Sequence, residues 1–138
     1  MYNWTDSPTI VSLERLLILD PHEEWSPGGP LYDFVEDAED GAIRNHMAAF
    51  QSVMENATQP FDGTIIRIPL RTREQASKSD ICSRETTVVE VREVLEKFAT
   101  EFGSSGLLFM RNIGKVLIES TAGISISIEI EDGEQVRE

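Results

Sequence analysis

The sequence predicts an α+β fold of two layers, a mostly antiparallel twisted sheet with two amphipathic helices on one of its faces. Three observations carry that prediction. Short β-type runs recur at Thr9–Ser12, Arg15–Asp20, Ile65–Leu70 and Gly114–Glu119. Two longer stretches repeat apolar residues at helical spacing, around Ile43 and around Leu95. The run from Ile124 to Ile130 alternates isoleucine with polar residues, the pattern of a strand with one face in water.

Thr9–Ser12 and Arg15–Asp20 are close enough to form a hairpin with "SLER" as its turn. "DPHEEWSPGGP" then gathers proline and glycine up to Pro30, which disfavours helix and ladder alike. From about Asp40 to Asn56, Ile43, Met47, Phe50 and Met54 step by four, three and four and line one helical face. The acidic "YDFVEDAED" before them reads as a solvated loop or as a first turn that complements the helix dipole.

"FDGTIIRIPLRT", residues 61–72, is apolar at Ile65, Ile66, Ile68 and Leu70, which suits a central strand covered on both faces. Pro69 cannot donate to a ladder and points instead to an edge or a bulge. "RTREQASKSDICSRE" has no period and reads as a mobile loop with at most a helical turn. Val88, Val91, Leu95, Phe98 and Phe102 then trace the clearest helix, with Thr87 and Glu90 as a capping box and Gly103 as its stop. Leu107–Met110, Gly114–Glu119 and Ile124–Ile130 are three further strands. The organisation expected is one domain over residues 1–131 and a frayed acidic tail over 132–138.

With 25 acidic residues against 12 basic, the formal charge of −13 repels a phosphate backbone, so nucleic acid is not an expected partner. Basic residues thicken only between Arg67 and Arg84, where Arg71, Arg73 and Lys78 also fall; this reads first as a solvated strand end and loop, and as the one place where an anion would be welcome. Cys82 has no second cysteine for a disulfide, and no apolar run suits a signal peptide or a membrane span. A reducing, cytoplasmic setting and no membrane partner are therefore expected. The sequon Asn56-Ala57-Thr58 carries no weight without a secretory signal.

Asp20, His22, Glu23 and Glu24 are close in sequence, but a polar turn explains the same letters and no metal site is expected. Cys82 sits in a polar loop and neither His22 nor His46 has a marked neighbour, which argues against nucleophilic catalysis. Asp33 and Asp37 in "DFVEDAED" imitate the Glu-x-x-x-Asn helix with which Bergerat-fold ATPases hold magnesium, with both letters wrong.

"YNWTDSPTIVS", "LLILDPHEEW", "FDGTIIRIPLRT" and "VVEVREVLEKFATEFGSSGLLFMRNIGKV", in that order, resemble the sacsin-type repeat of the GHKL group, which includes gyrase and the ninety-kilodalton heat-shock chaperone. The similarity covers roughly residues 2 to 119, and its most specific pieces are "TDSPTIVS", "LDPH" and "GTIIRIPLRT". Leu13 stands where such repeats usually carry glycine.

The resemblance implies the distal half of a Bergerat, HATPase-like domain. The family's Asn-bearing helix, Asp-x-Gly loop and glycine-rich lid have no counterpart in this sequence. Only Gly63 and Thr64 match a nucleotide-side feature, a Gly-Thr entering a central strand near the adenine, where the glycine allows close approach and the hydroxyl offers a hydrogen bond. Phosphoryl transfer needs Mg²⁺ and donors around the phosphates, so no ATPase activity and no cofactor are expected of this chain, and ATP or ADP with Mg²⁺ only of a longer parent. The function implied is a chaperone-type remnant in protein quality control, binding a protein partner or client, or itself, through uncovered sheet surface. A fragment of a larger sacsin-type ATPase and an acidic interaction module are the alternatives.

Overall fold

The computed structural model describes residues 2–23, 31–106, 113, 115–119 and 125–129. The chain divides into two compact units, Met1–Thr87 and Val88–Glu138. Both are built of antiparallel strands and helices, so the α+β class holds.

In the first unit, β1 (Thr9–Leu13), β2 (Arg15–Ile18), β3 (Leu31–Asp33) and β4 (Phe61–Arg67) form one sheet in the order β3-β2-β1-β4, antiparallel throughout. Strand alternation sends Thr9, Val11, Leu16 and Ile18 to the buried face. Onto that face packs α1 (Gly41–Ala48), which starts where Asp40 Oδ1 accepts from the backbone N–H of Ala42 at 2.7 Å and of Ile43 at 3.3 Å. Val11, Leu16, Ile18, Phe34, Ile43, Met47, Phe50 and Met54 make the core. All four residues of the expected helical face are buried although α1 ends at Ala48. The turns beyond it keep near-helical bonds, Phe50 N to Met47 O at 3.0 Å and Met54 N to Phe50 O at 2.9 Å, so the spacing survives the helix.

β4 was expected to be central and covered on both faces, and the structure corrects this. Among the described residues it ends the sheet, pairs with β1 alone, and leaves Ile66 50% exposed. A run of consecutive apolar residues marks a strand with two apolar faces, not one with two covered faces. Pro69 lies two residues past the end of β4. β3 is a three-residue strand inside a stretch expected to be loop or helix start, too short to show a period.

The polar loop after β4 holds α2 (Arg73–Lys78), six residues with a complete capping box. Thr72 N–H donates to Gln75 Oε1 at 2.9 Å and Gln75 N–H to Thr72 Oγ1 at 3.3 Å. The Thr-x-x-Gln signature was legible; the missing apolar period hid it.

The β1–β2 hairpin turns through Leu13 and Glu14, and Leu13 has φ of 51°. That torsion favours glycine at this turn, since a Cβ in the left-handed region costs about 1–2 kcal/mol. Leu13 is 55% exposed and has little packing to lose. Leu13→Gly is therefore expected to raise stability by roughly 0.5–1 kcal/mol after the entropy of glycine is subtracted, read as a higher urea midpoint.

In the second unit, α3 (Val88–Gly106) lies beside β6 (Ser125–Glu129), which pairs antiparallel with β5 (Lys115–Glu119). The helix runs three residues past Gly103, which therefore does not stop it. Along its expected apolar face, Val91 and Phe98 are half-buried while Val88 is 65% exposed. The strand expected at Leu107–Met110 and the tail 132–138 lie outside the described residues.

Candidate functional site

Arg71 is the largest fully buried side chain of the described residues, 1% exposed. A buried guanidinium must place five N–H donors, and here all five have acceptors. Nε donates to Asp6 Oδ1 at 2.8 Å, and Nη2 donates to the same oxygen and to Tyr2 O at 2.6 Å. Nη1 donates to Asn3 O at 3.2 Å and Arg84 O at 3.3 Å. Backbone bonds reinforce the clamp, Arg71 N–H to Trp4 O at 2.8 Å and Thr86 N–H to Arg71 O at 2.9 Å. Arg71, through its side chain and its backbone, thereby fastens residues 2–6 to the segment 84–86.

His22 approaches the other oxygen of the same carboxylate, with Nε2 3.6 Å from Asp6 Oδ2, just beyond hydrogen-bond reach. Asp6, Ser7, Asp20 and His22 then form a cleft of about 280 Å³ with Glu74, Gln75, Lys78 and Ser79 from α2 and its end. Lys78 Nζ is 2.8 Å from Glu74 Oε1, an exposed pair one helical turn apart that contributes little.

Burial pushes the Asp6 carboxyl up, but hydrogen bonds from Arg71 and Ser79 and the charges of Arg71 and His22 outweigh it and hold it below the usual carboxylate range. A depressed carboxyl adds stability that is present above its unfolded value of about 3.9 and lost as pH falls through the folded value. His46, on α1, is lowered first by burial and then by the charge of Arg67. Its unfolded form binds more protons, so its contribution falls as pH drops below about 6.5. Two separated losses are expected in urea midpoints measured from pH 8 to pH 3. His46→Gln flattens the one near neutrality and Asp6→Asn the one below about pH 4.

Of the cations between Arg67 and Arg84, two are taken up internally. Arg71 is consumed by the clamp, and Lys78 pairs with Glu74. Of the four residues weighed for a metal, Asp20 and His22 line the cleft, Glu23 is exposed, and Glu24 lies outside the described residues. Among the described residues no three His, Cys, Asp or Glu gather as metal ligands. Asp33 ends β3 and Asp37 lies in the turn after it, so the two do not share a helix. Asp33 Oδ1 caps Val35 and Glu36 N–H at 3.2 and 3.0 Å, and Asp37 N–H bonds Asp33 O at 2.9 Å.

Gly63 and Thr64 lie on β4 at a register shift against β1. Ser12 Oγ donates to Gly63 O at 2.9 Å and lies 3.1 Å from Thr64 Oγ1. Gly63 has φ of 147°, and a Cβ there would stand 3.0 Å from the Phe61 ring. The bulge by itself therefore requires glycine. Spacing alone gave no sign of the Asp6–Arg71 clamp, because its partners are 65 residues apart. The signal lay in the motif pieces: "TDSPTIVS" carries Asp6, "LDPH" carries Asp20 and His22, and "GTIIRIPLRT" carries Arg71.

No helix among the described residues is long and apolar enough to cross a membrane. The chain is similar to human sacsin, 26% identical over 154 aligned positions that cover 99% of this chain and 3% of that protein. It thus spans about 3% of the length of the curated relative it matches. The Sacsin domain family matches residues 1–126, nearly the whole chain and all three motif pieces that meet at the clamp and cleft. The chain belongs to the Sacsin domain family.

Proposed function

We propose that the chain is a non-catalytic, chaperone-type sacsin domain that acts by binding protein in quality control. One observation carries the reading. On the sheet face opposite the core, Leu31, Leu17, Ile10 and Ile66 stand in register across all four strands, Leu31↔Leu17, Leu17↔Ile10 and Ile10↔Ile66. Leu31 is 61% exposed, Ile66 50%, and the two between them are half-buried. A continuous apolar row of that kind marks an interaction surface. In the GHKL reading, this is the distal part of a Bergerat sheet.

The chain is expected to suppress thermal aggregation of citrate synthase, and Leu31→Ser/Ile66→Ser to lose that suppression. Undiminished suppression by the double variant would sink the reading.

A second reading has its own support in the 3% coverage of human sacsin: the chain is part of a larger ATP-binding protein. Gly63 and Thr64 then contribute to the floor under an adenine, and the phosphate-holding residues lie elsewhere. Amide NMR with Mg-ADP tests it. Shifts confined to Gly63 and Thr64 support a residual adenine site, and Mg²⁺-dependent hydrolysis abolished by Thr64→Val would overturn the non-catalytic assignment.

A further inference from the structure

We draw no further inference here: the strongest candidate, the polar cleft between the Asp20–His22 turn and α2, belongs to the site already described, and the unpartnered nitrogen on its wall, His22 Nε2, is buried against Asp6 Oδ2 at 3.6 Å and closed to any ligand the cleft could take.

Discussion

Arg71→Ala is expected to destabilise the first unit by about 3–5 kcal/mol, the cost of breaking a buried ion pair from one side. Against a total stability of roughly 5–15 kcal/mol, that is enough to populate the unfolded chain in dilute urea. The argument rests on what stays behind. Asp6 keeps a carboxylate whose Oδ1 has lost both guanidinium donors, and the carbonyls of Tyr2, Asn3 and Arg84 lose theirs. Lysine does not repair this, because three donors on a point charge cannot reach acceptors spread around a planar fork. Arg71→Lys is therefore expected to lose nearly as much. Asp6→Leu/Arg71→Met, which removes both charges, is expected to recover much of the loss. Urea melts of the four proteins decide it. A double variant no better than Arg71→Ala would mean that the carbonyl cage and not the ion pair carries the energy.

That clamp also shows where the sequence could be read and where it could not. Ile43, Met47, Phe50 and Met54 were found as one buried face because a helical period is local, and all four reach the core. The antiparallel hairpin of β1 and β2 was legible for the same reason, from two short β-type runs and a turn. The position of β4 at the end of the sheet, among the described residues, depends on what pairs with its far side, which no window of neighbouring residues records. Arg71 read as one of several loose cations because its four acceptor atoms come from segments on either side of it, 13 to 69 residues away. Leu13 lay between these cases. Its departure from the glycine usual in such repeats was visible, and φ of 51° favours glycine at this turn.

Phe50→Ala is the companion test on the core, with an expected cost of about 3–5 kcal/mol. Phe50 is 2% exposed and lies two residues past the end of α1, where its carbonyl accepts from Val53 and Met54 N–H, both at 2.9 Å. It anchors the return of the chain from helix to β4. Alanine is the better helix former by a few tenths of a kcal/mol, so a loss of this size cannot come from local propensity. It must come from the apolar area returned to water and the cavity left among the neighbours. Phe50→Leu keeps most of the volume and is expected to cost about 1–1.5 kcal/mol. Val53→Ala, in the same turn but 63% exposed, should stay within about 0.5 kcal/mol. If Val53→Ala cost as much as Phe50→Ala, the turn conformation and not the core would be holding α1 on the sheet. The expected order, Phe50→Ala far above Phe50→Leu and Val53→Ala near zero, would show that the helix is held by the face its period buries.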